Sequence, residues 1–413
     1  MSMGSARRPD QAVILAGGLG TRLGALTQDR PKPLVMAGDR PFLDHLLRLL
    51  KSQGFTRVLL LLGHKAEMIV DHCGDGSRFG LEIDYSFGPA EDDTGRRVKR
   101  AFSKLDPAFL LLYCDNYWPM PFARMWQAFS ARPEALAQVT VYRNRDRHTR
   151  DNIRVDANGF VTSYDKSRTD PDLAGVDIGF IVMKRDVVDL LPEDNCSFEA
   201  AIYPLLASRG QLTAFETSHR YYSCGSPEKL SEAIRFFTRR PCVILDRDGV
   251  LNVKAPRGTY VANPEEWQWL PGALDALATL KGHGADVIVV TNQAGIARGM
   301  MTQADLDSIH VRMIDEARAA GGEILDVFHC PHHWDDGCDC RKPAPGMLYE
   351  AQRAHALDLS VTPFVGDDPR DGEAAAKADQ PFFPVDPEKG LAQSLPDLLD
   401  FLDQRAQTRP AAN

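Results

Sequence analysis

The chain has 413 residues, more than one hydrophobic core usually organises, so two or three domains are expected. Its 44% hydrophobic and 25% charged residues are ordinary globular composition and exclude extended disorder outside the ends. A formal net charge of −9 excludes a nucleic-acid scaffold, which needs clustered Lys and Arg, but leaves small phosphorylated ligands open. No apolar run approaches the length of a membrane span, and MSMGSARRPD lacks the apolar stretch of a secretion signal. The expectation is a cytoplasmic protein with no membrane partner.

From 11 to about 130, short apolar strands (AVILA, VLLLLG, FLLLYC) alternate with amphipathic stretches such as FLDHLLRLLKSQG. That alternation predicts βαβ units on a parallel sheet. The first strand runs into VILAGGLGTRLGALTQDRPKPL, where Gly17, Gly18 and Gly20 let the backbone approach an anion and turn N–H groups toward it. Arg22 and Lys32 add charge for a leaving pyrophosphate and a sugar phosphate. Asp115, closing FLLLYCDNYW, is placed to bind Mg²⁺ at an α-phosphate. Between 138 and 183, VTVY, NIRVD, FVTSY and VDIGFIVM have short connections and predict an antiparallel addition. In SPEKLSEAIRFFTRR, Ser226 reads as an N-cap and Pro227 as the first helical residue. The domain boundary is expected just beyond, giving domains 1–239 and 240–413.

At 241 the alternation begins again: CVILD, a helix from Pro271 to His283, DVIVVTNQ, a helix near 302–319, ILDVFHC, a helix over about 344–356, and TPFVGDD. This core spans 241–390, and LAQSLPDLLDFLDQRA predicts an outer helix over 391–406 before a frayed TRPAAN end. The fold class is therefore α/β with two doubly wound domains, the first a Rossmann-like mixed sheet and the second a parallel sheet. Ligands of such sheets sit beyond the carboxyl ends of the strands. There stand Asp246 and Asp248, Thr291 and Asn292, and Asp367 with Asp371, while Lys342 comes from a loop before a helix. Asp246 suits attack on phosphorus and Asp248 suits the acid/base work. Asp246 and Asp367 suit a shared Mg²⁺, and Thr291 and Lys342 suit the transferring oxygens.

Eight cysteines are present; Cys73, Cys114, Cys196, Cys224 and Cys242 are scattered and read as buried small hydrophobes. The remaining three crowd into CPHHWDDGCDCRKP, where Cys330, His332, Cys338 and Cys340 form two ligand pairs suited to one tetrahedral Zn²⁺, with His333 the competing histidine. Four protein ligands leave no open position, so this zinc reads as structural, fixing the loop that carries Arg341 and Lys342.

DRDGVLN, VTNQAGIARG, CRKPAPGM and GDDPRD resemble the four motifs of the haloacid dehalogenase superfamily, and 241 to about 390 resembles its D-glycero-D-manno-heptose 1,7-bisphosphate phosphatases. That resemblance implies Asp246 as nucleophile, Asp248 as acid/base, and Mg²⁺ held at Asp246, Asp248 and Asp367. It also implies Thr291 and Lys342 on the phosphoryl group, Arg341 in substrate choice, and Tyr260 and Asn292, Gln293 and Ala294 near the sugar. His332 is the zinc ligand it favours. Asp368 departs from it, since the family often has Lys after GD.

GGLGTRL followed by PKPL resembles the signature of sugar-1-phosphate nucleotidyltransferases, including Thr21, and the likeness covers about 11–237. It implies Lys166 on the sugar phosphate and Asp177 to Gly179 in the sugar pocket. DTGRR at 93–97 replaces a small-residue loop and sets Arg96 and Arg97 where base or sugar should lie, and Ser223 stands where relatives often carry a second metal-binding aspartate. Together the two likenesses imply removal of the C7 phosphate of a heptose bisphosphate and transfer of the resulting sugar 1-phosphate to a nucleoside triphosphate, GTP by pathway pairing. Two other readings stay open. In one, the first domain binds nucleotide or sugar without catalysis; in the other, the phosphatase takes histidinol phosphate or another sugar bisphosphate, since a histidinol-phosphate phosphatase family shares the zinc loop.

Overall fold

A computed structural model describes residues 8–408 of the chain. The expected frayed end, apart from Thr408, and most of the MSMGSARRPD segment lie outside the described residues. The chain divides into two compact units between Phe237 and Thr238.

In the first unit the strands are β1 (Gln11–Leu15), β2 (Arg57–Leu62), β3 (Glu82–Phe87), β4 (Ala108–Tyr113), β5 (Asn116–Tyr117), β6 (Ala137–Tyr142), β7 (Ile153–Val155), β8 (Val161–Tyr164), β9 (Val176–Lys184), β10 (Leu212–Thr217) and β11 (Tyr222–Ser223). Its helices are α1 (Phe42–Ser52), α2 (Ala66–Cys73), α3 (Thr94–Arg100), α4 (Phe122–Ser130), α5 (Phe198–Ser208) and α6 (Pro227–Phe237). Seven strands form one mixed sheet in the order β10-β6-β9-β4-β1-β2-β3. Strands β4, β1, β2 and β3 run parallel, and β9 pairs antiparallel with both β4 and β6. Of the segments expected to add an antiparallel portion, VTVY and VDIGFIVM join this sheet, whereas NIRVD and FVTSY pair with each other in a separate ribbon, β7 with β8. Ser226 caps α6 as its sequence suggested, its hydroxyl accepting the Lys229 N–H at 3.4 Å.

The second unit contains β12 (Cys242–Leu245), β13 (Asp286–Asn292), β14 (Asp326–Cys330), β15 (Phe364–Gly366) and β16 (Phe382–Pro384), in the order β14-β13-β12-β15-β16 with every pairing parallel. Helices α7 (Ala273–Gly282), α8 (Gln303–Ala319), α9 (Gly346–His355), α10 (Pro369–Lys377) and α11 (Leu391–Thr408) complete it. Alternate residues of the central strands enter different cores. Val243, Leu245, Val287 and Val289 pack in one, and Cys242, Ile244, Ile288 and Val290 in the other. Burial on both faces is why these strands read as continuous apolar runs. Sequence reasoning missed α10 and β16. The signal for α10 was Asp368-Pro369-x-Asp371: the Asp368 carboxylate caps the helix and Asp371 completes a capping box. Among the scattered cysteines Cys196 is only half-buried, a correction, while the other four are buried.

Candidate functional sites

The polar ends of β12, β13 and β15 converge. Asp246 follows β12, its own N–H bonded to Val365 O of β15 at 2.9 Å, which fixes its backbone at the sheet edge. Lys342 Nζ reaches Asp246 Oδ1 at 2.8 Å, Asp371 Oδ1 at 2.7 Å and Val290 O at 3.0 Å, and its side chain is 2% exposed. Burial pushes Asp246 well above the usual carboxylate range, helped by the neighbouring Asp371 charge, while Lys342 pulls the other way. Lys342 stays cationic although burial opposes it, because Asp246 and Asp371 hold its proton.

Asn292, expected near the sugar, lines the same cavity as Asp246 and Lys342 and also staples Lys342 in place: its Nδ2 donates to Lys342 O, and its Oδ1 accepts the Lys342 N–H, both at 3.0 Å. Gln293 and Ala294 are corrected outright. Both are wholly buried and are not among the residues that line the cavity; Gln293 stands behind it, donating to Asp248 Oδ2 and to Thr291 Oγ1, each at 2.8 Å. Thr291, Tyr260 and Arg341 do line the cavity, about 860 Å³ in volume, with Asp246, Asp248 and Lys342 at its floor. Lys254, Arg257, Arg298, Trp334 and Arg370 also line it, and sequence reasoning named none of them. Their signal was weak, because neither the loop residues nor Arg370 in the first turn of α10 carries a spacing that distinguishes a pocket wall from solvent.

One ligand atom each from Asp246, Asp367 and Asp371 lies within 4.8 Å of the others. Asp367 Oδ2 takes Lys254 Nζ at 2.5 Å, while its Oδ1 is buried with no partner. A Cβ on Gly249 would lie 2.7 Å from that carboxylate, so only glycine permits the approach. Three carboxylates facing two lysines, with an oxygen left over, suit a hard divalent cation such as Mg²⁺. The Asp248 carboxylate does not join this group, which corrects its side chain's expected place among the magnesium ligands. Arg247, Asn252 and Gln293 turn it aside and together hold it below the usual carboxylate range against the opposing effect of burial.

On the loop after β14, the sulfurs of Cys330, Cys338 and Cys340 stand 3.3 to 3.7 Å apart, and His332 Nδ1 lies 3.6 Å from Cys330 Sγ and 3.2 Å from Cys340 Sγ. Ligands about 2.3 Å from a tetrahedral zinc stand roughly 3.8 Å from each other, so this set fits. His333 lies outside the cluster, its Nδ1 3.3 Å from Asp335 Oδ2.

In the first unit, Gly17 and Gly18 follow β1, and Gly20 at φ 70° begins a 3-10 segment carrying Thr21 and Arg22, both exposed. Lys32 Nζ pairs with Asp115 Oδ2 at 2.5 Å, and that contact keeps the ammonium charged although burial opposes it. Ser223 of β11 lies opposite Asn116, with its hydroxyl accepting the Gly225 N–H, so this position itself offers Asp115 a hydroxyl and not a carboxylate. Lys166 Nζ reaches Ser197 Oγ at 2.8 Å. Asp177 on β9 is enclosed near Tyr203, and burial raises it to about 7.

DTGRR is not a loop over the ligand site but the start of α3, capped by Asp93. Arg96 turns outward to Glu193 O, and Arg97 is buried. Its guanidinium donates to Leu62 O at 2.8 Å, Gly17 O at 3.2 Å, Pro89 O at 3.0 Å and Ala90 O at 3.1 Å. It thus ties the glycine loop to the ends of β2 and β3, and a Cβ on Gly17 or Gly63 would strike it. Truncation to alanine removes these charge-assisted bonds, worth about 1.5–3 kcal/mol each before relaxation, and leaves Leu62 O, Gly17 O and Pro89 O with only the Gly88, His64 and Asp92 N–H groups. Arg97→Ala is expected to lower the denaturant midpoint of the first unit while the second unit unfolds as before. Urea unfolding of the full chain, followed by fluorescence and by limited proteolysis that separates fragments of the two units, checks this.

Residues 11–216 match the nucleotidyl transferase family, and residues 242–382 match the polynucleotide kinase 3 phosphatase family. The chain is 46% identical over 136 residues to D-glycero-beta-D-manno-heptose-1,7-bisphosphate 7-phosphatase of Bordetella bronchiseptica, covering 33% of this chain and 75% of that protein. It is 44% identical over 140 residues to the protein of the same name from Pseudomonas aeruginosa, covering 34% of this chain and 78% of that one. Among solved structures, HddC from Yersinia pseudotuberculosis is 26% identical and covers 55% of this chain and 99% of its own, with a TM-score of 0.49. The B. bronchiseptica D,D-heptose 1.7-bisphosphate phosphatase, solved with magnesium and phosphate, is 37% identical and covers 40% of this chain and 98% of its own, with a TM-score of 0.36.

Proposed function

We propose, given that the chain belongs through its second unit to the D-glycero-beta-D-manno-heptose-1,7-bisphosphate 7-phosphatase family and carries a nucleotidyl transferase domain ahead of it, that one protein runs two successive steps on one sugar. It removes the C7 phosphate of D-glycero-D-manno-heptose 1,7-bisphosphate, then joins the remaining 1-phosphate to the α-phosphorus of GTP, releasing pyrophosphate. The cytoplasm, where both substrates are available, is its place of work. The observation that carries the first step is Asp246, set between Lys342 and Asp371 at the floor of a cation-walled cavity.

In that step an Asp246 oxygen bonds to phosphorus as the bond from phosphorus to the C7 oxygen breaks. The electron pair stays on the C7 oxygen, which takes a proton from Asp248. Water then bonds to phosphorus and gives its proton to Asp248. The aspartyl-phosphate bond breaks, returning the Asp246 carboxylate and inorganic phosphate. Lys342 and Thr291 bind the non-bridging oxygens, and Arg341 receives the distal end of the substrate. A magnesium ion held by Asp246, Asp367 and Asp371 supplies charge neutralisation between carboxylate and phosphate when bound. In the first unit, Lys32 and Arg22 bind phosphate, Asp115 is the carboxylate for that site's magnesium, and Lys166 and Asp177 address the sugar. The glycine loop at Gly17, Gly18, Gly20 and Thr21 binds the triphosphate.

Incubation of the full chain with each anomer of the bisphosphate and GTP, followed by mass identification, tests both steps. GDP-heptose and phosphate are expected. Lys32→Ala and Asp115→Ala should each cut pyrophosphate release about 100-fold or more and leave phosphate release intact, because the two chemistries use different residues. Phosphate release without a nucleotide sugar from any nucleoside triphosphate overturns the second step alone.

A further inference from the structure

Arg247 stands between the two aspartates of DRD, yet it does not line the cavity and is wholly buried. Its Nη2 donates to Asp248 Oδ1 at 3.0 Å and to Oδ2 at 2.9 Å. Behind it, Nη1 faces His310 Nε2 of α8 at 3.4 Å, and the guanidinium carbon sits 5.9 Å from the Trp267 ring centroid. Burial and Arg247 push His310 down to about 3, so the ring is neutral and accepts from the arginine. Among the described residues, Asp248 is the one carboxylate paired with this guanidinium. The other donors to Asp248 are the amides of Asn252 at 2.9 Å, to Oδ1, and Gln293 at 2.8 Å, to Oδ2. Each amide grips one oxygen, whereas Arg247 spans both and is itself fixed by packing.

We infer that Arg247 is a positioning residue that aims the Asp248 carboxylate at the leaving oxygen. The inference rests on the phosphatase reading above. A buried cation without an anionic partner is strongly unfavourable, so the core around Trp267 and His310 ties the arginine to Asp248, and the arginine sets the acid's orientation. The group transfer is the one already described: the P–O bond from Asp246 forms, the ester P–O bond breaks, and the proton moves from Asp248 to the departing oxygen. That transfer and the later one from water both depend on where Asp248 points, but kcat/KM reads only the first, because the leaving group departs before water attacks.

The leaving group therefore separates this role from simple core packing. An alkoxide needs its proton in the transition state, whereas p-nitrophenolate departs without one. Arg247→Met and Arg247→Lys are compared with the wild type and Asp248→Asn, using kcat/KM on the heptose bisphosphate and on p-nitrophenyl phosphate. Expected for Arg247→Met is a loss of about 100-fold or more on the bisphosphate but no more than about fivefold on the aryl ester, the split that Asp248→Asn also shows. Arg247→Lys keeps the buried charge and recovers part of the loss; if the methionine variant does not fold, the lysine variant carries the test through the same split. Equal losses on both substrates, or none, in whichever variant folds overturn the inference. A wild type that releases phosphate from neither substrate overturns the phosphatase reading, and the role of Arg247 falls with it.

Discussion

Asp246→Asn is expected to abolish phosphate release, by on the order of 10⁶-fold, the scale on which nucleophile removal acts in other covalent enzymes. An amide oxygen is a poor nucleophile, and no other group at the carboxyl end of β12 replaces it. Asp248, two residues on, is turned aside by Arg247, Asn252 and Gln293. The fold should survive. Lys342 keeps its 2.7 Å contact to Asp371, so no buried charge is stranded, and the repulsion between Asp246 and Asp371 is relieved. Malachite-green phosphate assay, circular dichroism and zinc stoichiometry on the same preparation check the three parts together. Substantial residual turnover contradicts the assigned nucleophile.

Removal of metal from the Cys330, His332, Cys338 and Cys340 cluster, or Cys340→Ser, is expected to raise KM for the bisphosphate by about 10- to 100-fold while lowering kcat far less. The reason is that the loop's two cations are held differently. Lys342 keeps anchors outside the loop, at Asn292, Val290, Asp246 and Asp371. Arg341 and Trp334, by contrast, hang on the segment that the four metal ligands fold, and Arg341 Nη1 is buried with no partner of its own. Without metal, three thiols and an imidazole no longer converge, and the binding wall loosens while the reacting floor stands. Steady-state kinetics before and after chelation measure the split, with pyrophosphate release by the first unit as the internal control. A collapse of kcat at unchanged KM contradicts this division.

Much of this was legible in the sequence because two signals are local. An apolar run followed by a polar residue marks a strand and its carboxyl end, and the restart at PCVILD repeats the pattern that QAVILA began. Paired Cys and His a residue apart reach one point with little help from the rest of the chain, so the candidate metal cluster needed no tertiary information. Asp246, Thr291 and Asp367 were likewise readable, since each sits at or beside a strand end and a parallel sheet brings those ends together, whereas Lys342, on a loop before a helix, was readable through its motif CRKPAPGM.

What only the tertiary structure decided is which way side chains near those ends face. Asn292, Gln293 and Ala294 are consecutive in one motif, yet Asn292 binds the backbone of Lys342, Gln293 turns inward to Asp248, and Ala294 is core. Arg97 in DTGRR reads as a cation for a ligand but spends its donors on backbone carbonyls from three other segments of the chain, a choice set by where helix α3 places it, beside the ends of β1, β2 and β3. Asp248 carries the charge of a metal ligand and lacks the direction of one. Residue type and spacing establish what chemistry a chain can hold. Orientation depends on partners distant in sequence, whose contribution no local pattern records.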